Sequence, residues 1–228
     1  MITRARTLTL VVASALVLVG CGSGSDSDDG IADLSATKIL AKAEKQLAQE
    51  EFIAVKGQGK DEDEGAEIAV DMSFAGKTAS GTVEFSGMTL KVLKADGKSY
   101  FKADKEFFES SGAPAETMDL IGDKWVAIDP GNQNFAEIGS FVSKKEFFDS
   151  LLDPESKVTK GTEKKVNGVD CIALKDKQGT FYFDKSNARP ISLVATSGAG
   201  SFDFSYDKVS EAQAPSADEV LDLANLPS

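Results

Sequence analysis

The spacing of apolar positions changes period twice along the chain. From Leu8 to Val19 it runs almost unbroken in Leu, Val and Ala, interrupted only by Thr9 and Ser14. A bilayer-spanning helix needs about 20 apolar residues, so this shorter run predicts the core of a secretory signal, with Arg4 and Arg6 as its positive start. From Leu34 to Glu51 the period is helical: Ile39, Leu40, Ala43, Leu47 and Ala48 share one stripe. Ser35 is placed to cap that helix, and Leu34 with Ile39 to staple its entry. Beyond it the period falls to two. Ile68, Val70, Met72 and Phe74 alternate with Ala69, Asp71 and Ser73, and Val83, Phe85, Leu90 and Val92 continue the pattern. Phe202, Phe204 and Tyr206 alternate with Asp203, Ser205 and Asp207, which predicts one apolar and one wet face.

Turn residues separate these runs at short intervals. Asp96-Gly97 and Asn167-Gly168 suit two-residue hairpins, where both positions need positive φ. Glu64-Gly65, Gly76-Lys77 and Ser197 to Gly200 mark further turns. The spacing predicts ten or eleven strands, with helical pieces between the first five and the last five. Ser143 and Glu146 form a capping box ahead of Phe147, Phe148, Leu151 and Leu152, and Ser216 with Glu219 starts a last short helix to Leu223. The fold class is mainly β with α: an incomplete antiparallel barrel covered by short helices, in one domain over residues 34–228. Three short helices are few for so wide an apolar face, so a cavity between helices and sheet is one way to satisfy the count. Complete filling by Phe is the other.

The 228 residues hold 25 Lys+Arg, 37 Asp+Glu and no His, for a net charge of −12. That balance excludes a nucleic-acid binder, which needs a basic patch for phosphates. Without His, the commonest general base and metal ligand are missing, and no cofactor or metal is expected. Asp26 to Gly30 has its Gly one place early for an EF-hand and no Glu at the twelfth position. The apolar run ends in Leu18-Val19-Gly20-Cys21, which resembles a bacterial lipobox. This predicts cleavage after residue 20, a diacylglyceryl group on Cys21, and an acidic tether over 21–33. Removing residues 1–20 takes away two Arg and no acid, so the charge becomes −14 and lipid must hold the protein to its membrane. With Cys21 acylated, Cys171 has no disulfide partner and is expected to be a buried thiol. The carboxylates Asp61-Glu62-Asp63-Glu64 fall at a hairpin tip, where solvation is their expected fate. Lys157, Lys160, Lys164 and Lys165 form a basic patch, readable either as solvated strand charges or as contacts to an anionic headgroup.

Several stretches carry a family resemblance: Lys124-Trp125-Val126, Val166-Asn167-Gly168-Val169, Phe181 to Asp184 leading to Arg189-Pro190-Ile191, and Tyr206-Asp207 before Ala214-Pro215. With the order of lipobox, tether, entry helix, strands, mid-chain helices and strands, the chain resembles actinobacterial lipoproteins of the LppX/LprG type, and more distantly the LolA/LolB lipoprotein carriers. The resemblance implies a half-barrel around an apolar cavity and a non-enzymatic protein that carries lipid or glycolipid acyl chains. It implies the outer face of the bacterial cytoplasmic membrane as location, a monomer, and an envelope export partner. The expected lining is Ile68, Val70, Met72, Phe74, Leu90, Val92, Phe147, Phe148 and Leu151. Doubled rings at Phe107/Phe108 and Phe147/Phe148 are expected to point one ring inward and one toward the cavity mouth. The alternative function is a tethered interaction or envelope-scaffold domain with a filled core; a carboxylate enzyme is the third class.

Overall fold

The computed structural model describes residues 30–60, 67–110, 118, 120–129, 135–154, 156–177, 179–196 and 200–222. Cys21, the signal segment, the acidic hairpin tip Asp61 to Glu64 and the chain after residue 222 lie outside them. Ile31 to Asp33, expected as the last residues of a tether over 21–33, belong to the folded domain. Ile31–Asp33 forms a 3₁₀ turn, Ile31 is fully buried, and its N–H donates to the Lys185 carbonyl at 2.8 Å. An isoleucine among Gly, Asp and Ala is apolar enough to start the core three residues before Leu34.

Helix α1 (Ala36–Gln49) begins where expected, with Ser35 accepting from the Lys38 N–H at 3.4 Å and Ile39, Ala43 and Leu47 buried. Five strands follow in antiparallel succession: β1 (Phe52–Lys60), β2 (Glu67–Ala75), β3 (Thr78–Phe85), β4 (Met88–Ala95) and β5 (Lys98–Ala103). Their turns carry positive φ at Gly76, at Ser86 and Gly87, and at Asp96 and Gly97, as tight right-twisting hairpins require. Ser86-Gly87, a Ser-Gly turn signal, went unread in the sequence. Helix α2 (Lys105–Ser110), strand β6 (Trp125–Ile128), and helices α3 (Ala136–Val142) and α4 (Lys144–Leu152) fill the middle of the chain. Ser143 ends α3 and caps α4, accepting from the Glu146 N–H at 3.4 Å. Then come β7 (Thr159–Val166), β8 (Val169–Lys175), β9 (Gly179–Asp184), β10 (Pro190–Ala195) and β11 (Ser201–Ser205).

The expected final helix is not there. Ser216 and Glu219 do form a capping box, but it closes a 3₁₀ turn at Ala217–Glu219. Val220–Leu221 then becomes β12, parallel to β6, because a β-branched residue beside an unfilled sheet edge gains more from pairing. The sheet therefore has twelve strands, in the order β12-β6-β5-β4-β3-β2-β1-β11-β10-β9-β8-β7, with ends that do not meet. It is an open sheet, antiparallel except at β12. Two interior glycines let neighbouring strands approach closely. A Cβ on Gly57 would stand 2.0 Å from the Ser201 carbonyl oxygen, and one on Gly81 would stand 2.3 Å from that of Asp71. Glycines at such points mark where a sheet bends.

Candidate functional site: the apolar concave face

The register puts one set of side chains on the helix side. Ile53 lies opposite Phe74, Val55 opposite Met72, and Gly57 opposite Val70. Across β3 and β4 the set continues through Val83 with Leu90 and Gly81 with Val92, then to Phe101 and Val126. On the other side Val55 lies opposite Phe204 and Gly57 opposite Phe202, followed by Leu193 with Phe181. The strict alternation at Phe202 and Phe204 is thus one-sided as expected, and Asp203 is exposed opposite Lys56. Tyr206 lies just past the strand and is half-buried against the same core.

Helix-borne rings fill the deep part of this face. Phe74 meets Phe147 and Phe148 at 5.2 Å between centroids, and Phe148 meets Phe204 at 6.4 Å. A second group centres on Phe101, with Phe135 at 5.0 Å, Phe108 at 6.0 Å and Phe107 at 6.2 Å. Each doubled Phe splits as its geometry dictates: Phe108 and Phe148 are buried, while Phe107 and Phe147 are half-buried. The two rings of each pair stand edge to face, at 86° and 90°. Of the nine residues expected to line a pocket, Met72, Phe74, Leu90, Val92 and Phe148 sit in the packed interior, none above 4% exposed. Ile68, Val70, Phe147 and Leu151 are half-buried beside it.

Ile68 and Val70 belong to an apolar mouth at one end of the strands, whereas Phe147 packs on Phe74 toward the other end of β2. Ile68 lies opposite Phe85 on β3, and Phe85 meets the Phe107 ring at 6.4 Å. Ile68 also faces Gly59, where a Cβ would stand 3.3 Å from the Phe202 ring. A pocket of about 340 Å³ lies at these strand ends; Gln58, Lys60, Glu67, Ala69 and Glu84 of the wet face line it together with Gly59, Ile68 and Phe85, so it borders the apolar mouth without lying inside it. Phe85, Phe107 and Phe202 were not among the expected lining. Phe202 and Phe85 were readable by their alternation, whereas Phe107 depends on a helix that folds back onto β4.

Polar contacts fix α1 around this interior. The Lys144 ammonium donates to the Glu50 carbonyl at 2.8 Å and the Ala48 carbonyl at 3.3 Å, covering the bare carbonyl end of α1. The Glu50 carboxylate accepts two bonds from the Arg189 guanidinium, both at 2.7 Å. Burial alone would raise the Glu50 pKa, but the Arg189 and Gln46 bonds outweigh it and hold the carboxyl below its ordinary range. Burial lowers the Lys144 pKa, against the pull of Glu50. Arg189 also stacks 4.7 Å over the Tyr206 ring, whose hydroxyl donates to the Pro190 carbonyl at 2.8 Å. Burial pushes the Tyr206 hydroxyl far up, so it stays protonated. This cluster is a brace between helix and sheet.

Cys171 is fully buried, as expected, and burial pushes its thiol up. Among the described residues no group of three or more His, Cys, Asp or Glu could hold a metal, and no helix is long and apolar enough to cross a membrane. Lys157, Lys160, Lys164 and Lys165 lie on or beside β7, at the opposite edge of the sheet from β12.

No protein-family model matches the sequence, and no curated protein matches it. Several solved structures are similar. LprF from Mycobacterium bovis is 11% identical, with a TM-score of 0.42 over 77% of this chain and 95% of that one. A putative outer membrane lipoprotein-sorting protein domain from Vibrio parahaemolyticus is 13% identical, with a TM-score of 0.27 over 81% and 96%. A DUF1329 family protein from Desulfovibrio piger is 14% identical, with a TM-score of 0.24 over 74% and 90%. The first two are of the kinds that the sequence resembles. All three TM-scores lie below 0.5.

Proposed function

We propose that the protein is a lipoprotein of the bacterial cell envelope, held at the outer face of the cytoplasmic membrane by a diacylglyceryl group on Cys21 after loss of residues 1–20. In this reading it binds lipid or glycolipid acyl chains against its concave face and passes them on without catalysis. One observation carries the proposal. Among the described residues, the apolar interior continues at its end into a mouth of half-buried side chains: Ile68, Val70, Phe85, Phe107 and Phe202. Single exposed apolar residues are ordinary, but these lie side by side, and a contiguous apolar patch marks a surface that takes a ligand or partner. Each CH₂ drawn from water against them contributes about 0.8 kcal/mol, so half an acyl chain suffices for firm binding without any specific polar contact. Phe107, half-buried on the short helix α2 and in contact with Phe85, is the ring that would swing aside to open the mouth inward, leaving Phe108 in place.

The filled interior at Met72, Phe74, Leu90, Val92 and Phe148 favours the second reading, a tethered interaction domain whose core holds no ligand. Uptake of a fluorescent fatty-acyl probe by the mature chain separates the two. Val70 lies between Gly57 and Val83 in the register and is half-buried, so Val70→Trp should fill the mouth while leaving the fold intact. The carrier reading expects probe uptake by the unaltered chain and at least tenfold weaker uptake by the variant. Absence of uptake by both favours the interaction domain.

A further inference from the structure

Charge is distributed unevenly over this acidic protein. Residues 156–189 hold eight Lys and Arg against four acids, whereas the mature chain as a whole carries −14. The structure gathers this excess along one sheet edge. β7 is the terminal strand, and Lys160, Lys164 and Lys165 on it are exposed. Lys175 on β8 and Lys157 and Lys177 near the β7 end are exposed as well, with the Lys177 N–H donating to the Ser156 hydroxyl at 2.9 Å. Edge lysines on β7 alone would be explained as protection against strand pairing. Lys157, Lys175 and Lys177 lie off that edge, and among the described residues none of them has an ion-pair partner.

The N-terminal chain enters the domain at this same edge. Ile31 is bonded to the Lys185 carbonyl, and the Lys160 ammonium donates to the carbonyls of Ala32 and Leu34, the latter at 3.2 Å. Nine peptide links separate Cys21 from Gly30, and such a stretch cannot span more than about 30 Å. An anchor on Cys21 therefore keeps the β7 edge near the bilayer. We propose that the lysine edge formed by β7, the β7 end of β8 and the flanking turns is a docking surface for anionic phospholipid headgroups, which orients the domain on its membrane. The proposal rests on the anchoring reading above. Each Lys near an anionic surface strengthens association about fivefold, an effect that fades within a Debye length and with salt.

The test uses the mature chain purified from bacterial membranes and reconstituted into vesicles of phosphatidylcholine alone or mixed with phosphatidylglycerol. Acetic anhydride, which is uncharged, is pulsed in, and the acetylation rate of each lysine is read by mass spectrometry. Phosphatidylglycerol should slow Lys157, Lys164, Lys175 and Lys177 about fivefold, raised salt should restore them, and Lys42, Lys56 and Lys91 elsewhere on the surface should not change. Equal rates in the two vesicles overturn the proposal. So does slow acetylation at the patch in phosphatidylcholine alone, which would mean that a segment of protein covers it. Failure of the chain to float with phosphatidylcholine vesicles counts against the anchor instead, and the phosphatidylglycerol comparison still decides the patch.

Discussion

Truncation of Phe204 examines the one-sidedness of the sheet, on which the concave site depends. Phe204 is 8% exposed, lies opposite Val55 on β1, and meets the Phe148 ring of α4 at 6.4 Å. A Phe side chain buries about 150–250 Å², and truncation to Ala removes well over half of it. At about 25 cal/mol per Å² that is roughly 3 kcal/mol of lost transfer energy, and the cavity left between β11 and α4 adds to it, so Phe204→Ala should cost about 3–5 kcal/mol. The adjacent Asp203 is exposed and accepts one bond, from the Asn167 amide at 3.0 Å, so Asp203→Ala should cost about 0.5 kcal/mol. For a domain of this size each kcal/mol shifts Tm by about 2–4 °C. Thermal unfolding followed by circular dichroism should then show Phe204→Ala lower by roughly 6–20 °C and Asp203→Ala nearly unchanged. Equal shifts in the two variants would refute the one-sided strand, because a register slip of one residue exchanges the two faces.

Three further sets of variants have defined outcomes. Gly57→Ala should destabilise by about 3 kcal/mol, since its new methyl meets backbone of β11, while Gly139→Ala in α3, where a Cβ meets nothing within 4 Å, should stabilise by about 0.5–1 kcal/mol; denaturant midpoints report both. Glu50 has a lowered folded pKa, so its contribution is complete above the ordinary glutamate range and is lost as pH falls through the lower folded value. Chemical unfolding from pH 6 down to about pH 3 should show that loss in the native chain and much less of it in Glu50→Gln. Cys21→Ala should move the protein out of the membrane fraction, and unchanged fractionation would contradict the anchor.

The β architecture was legible because alternation at Ile68 to Phe74 and Phe202 to Tyr206 encodes a one-sided sheet directly. Hairpins with Asp96-Gly97 and Asn167-Gly168 were legible for the same reason, local need for positive φ. β12 was not, because a capping box at Ser216 and Glu219 specifies a helix start and nothing about its length. Pairing with β6, almost 100 residues away in sequence, decides that. The same limit applied to the site. Period two marks Ile68 and Val70 as inward, but only the packing of α4 puts Phe148 above Phe74, and only that of α2 brings Phe107 over Phe85 at the mouth. Ile31 shows the converse error: a Gly- and Asp-rich neighbourhood hid one residue that the core takes.

The most direct test of the carrier account is native mass spectrometry of the mature chain purified from a bacterium, paired with organic extraction of the same sample. The account predicts a population carrying extra lipid mass that disappears on denaturation, unlike the covalent group on Cys21, and is recovered in the extract. A chain that carries only its covalent anchor, yields no extractable lipid and takes up no added phospholipid or glycolipid would contradict it.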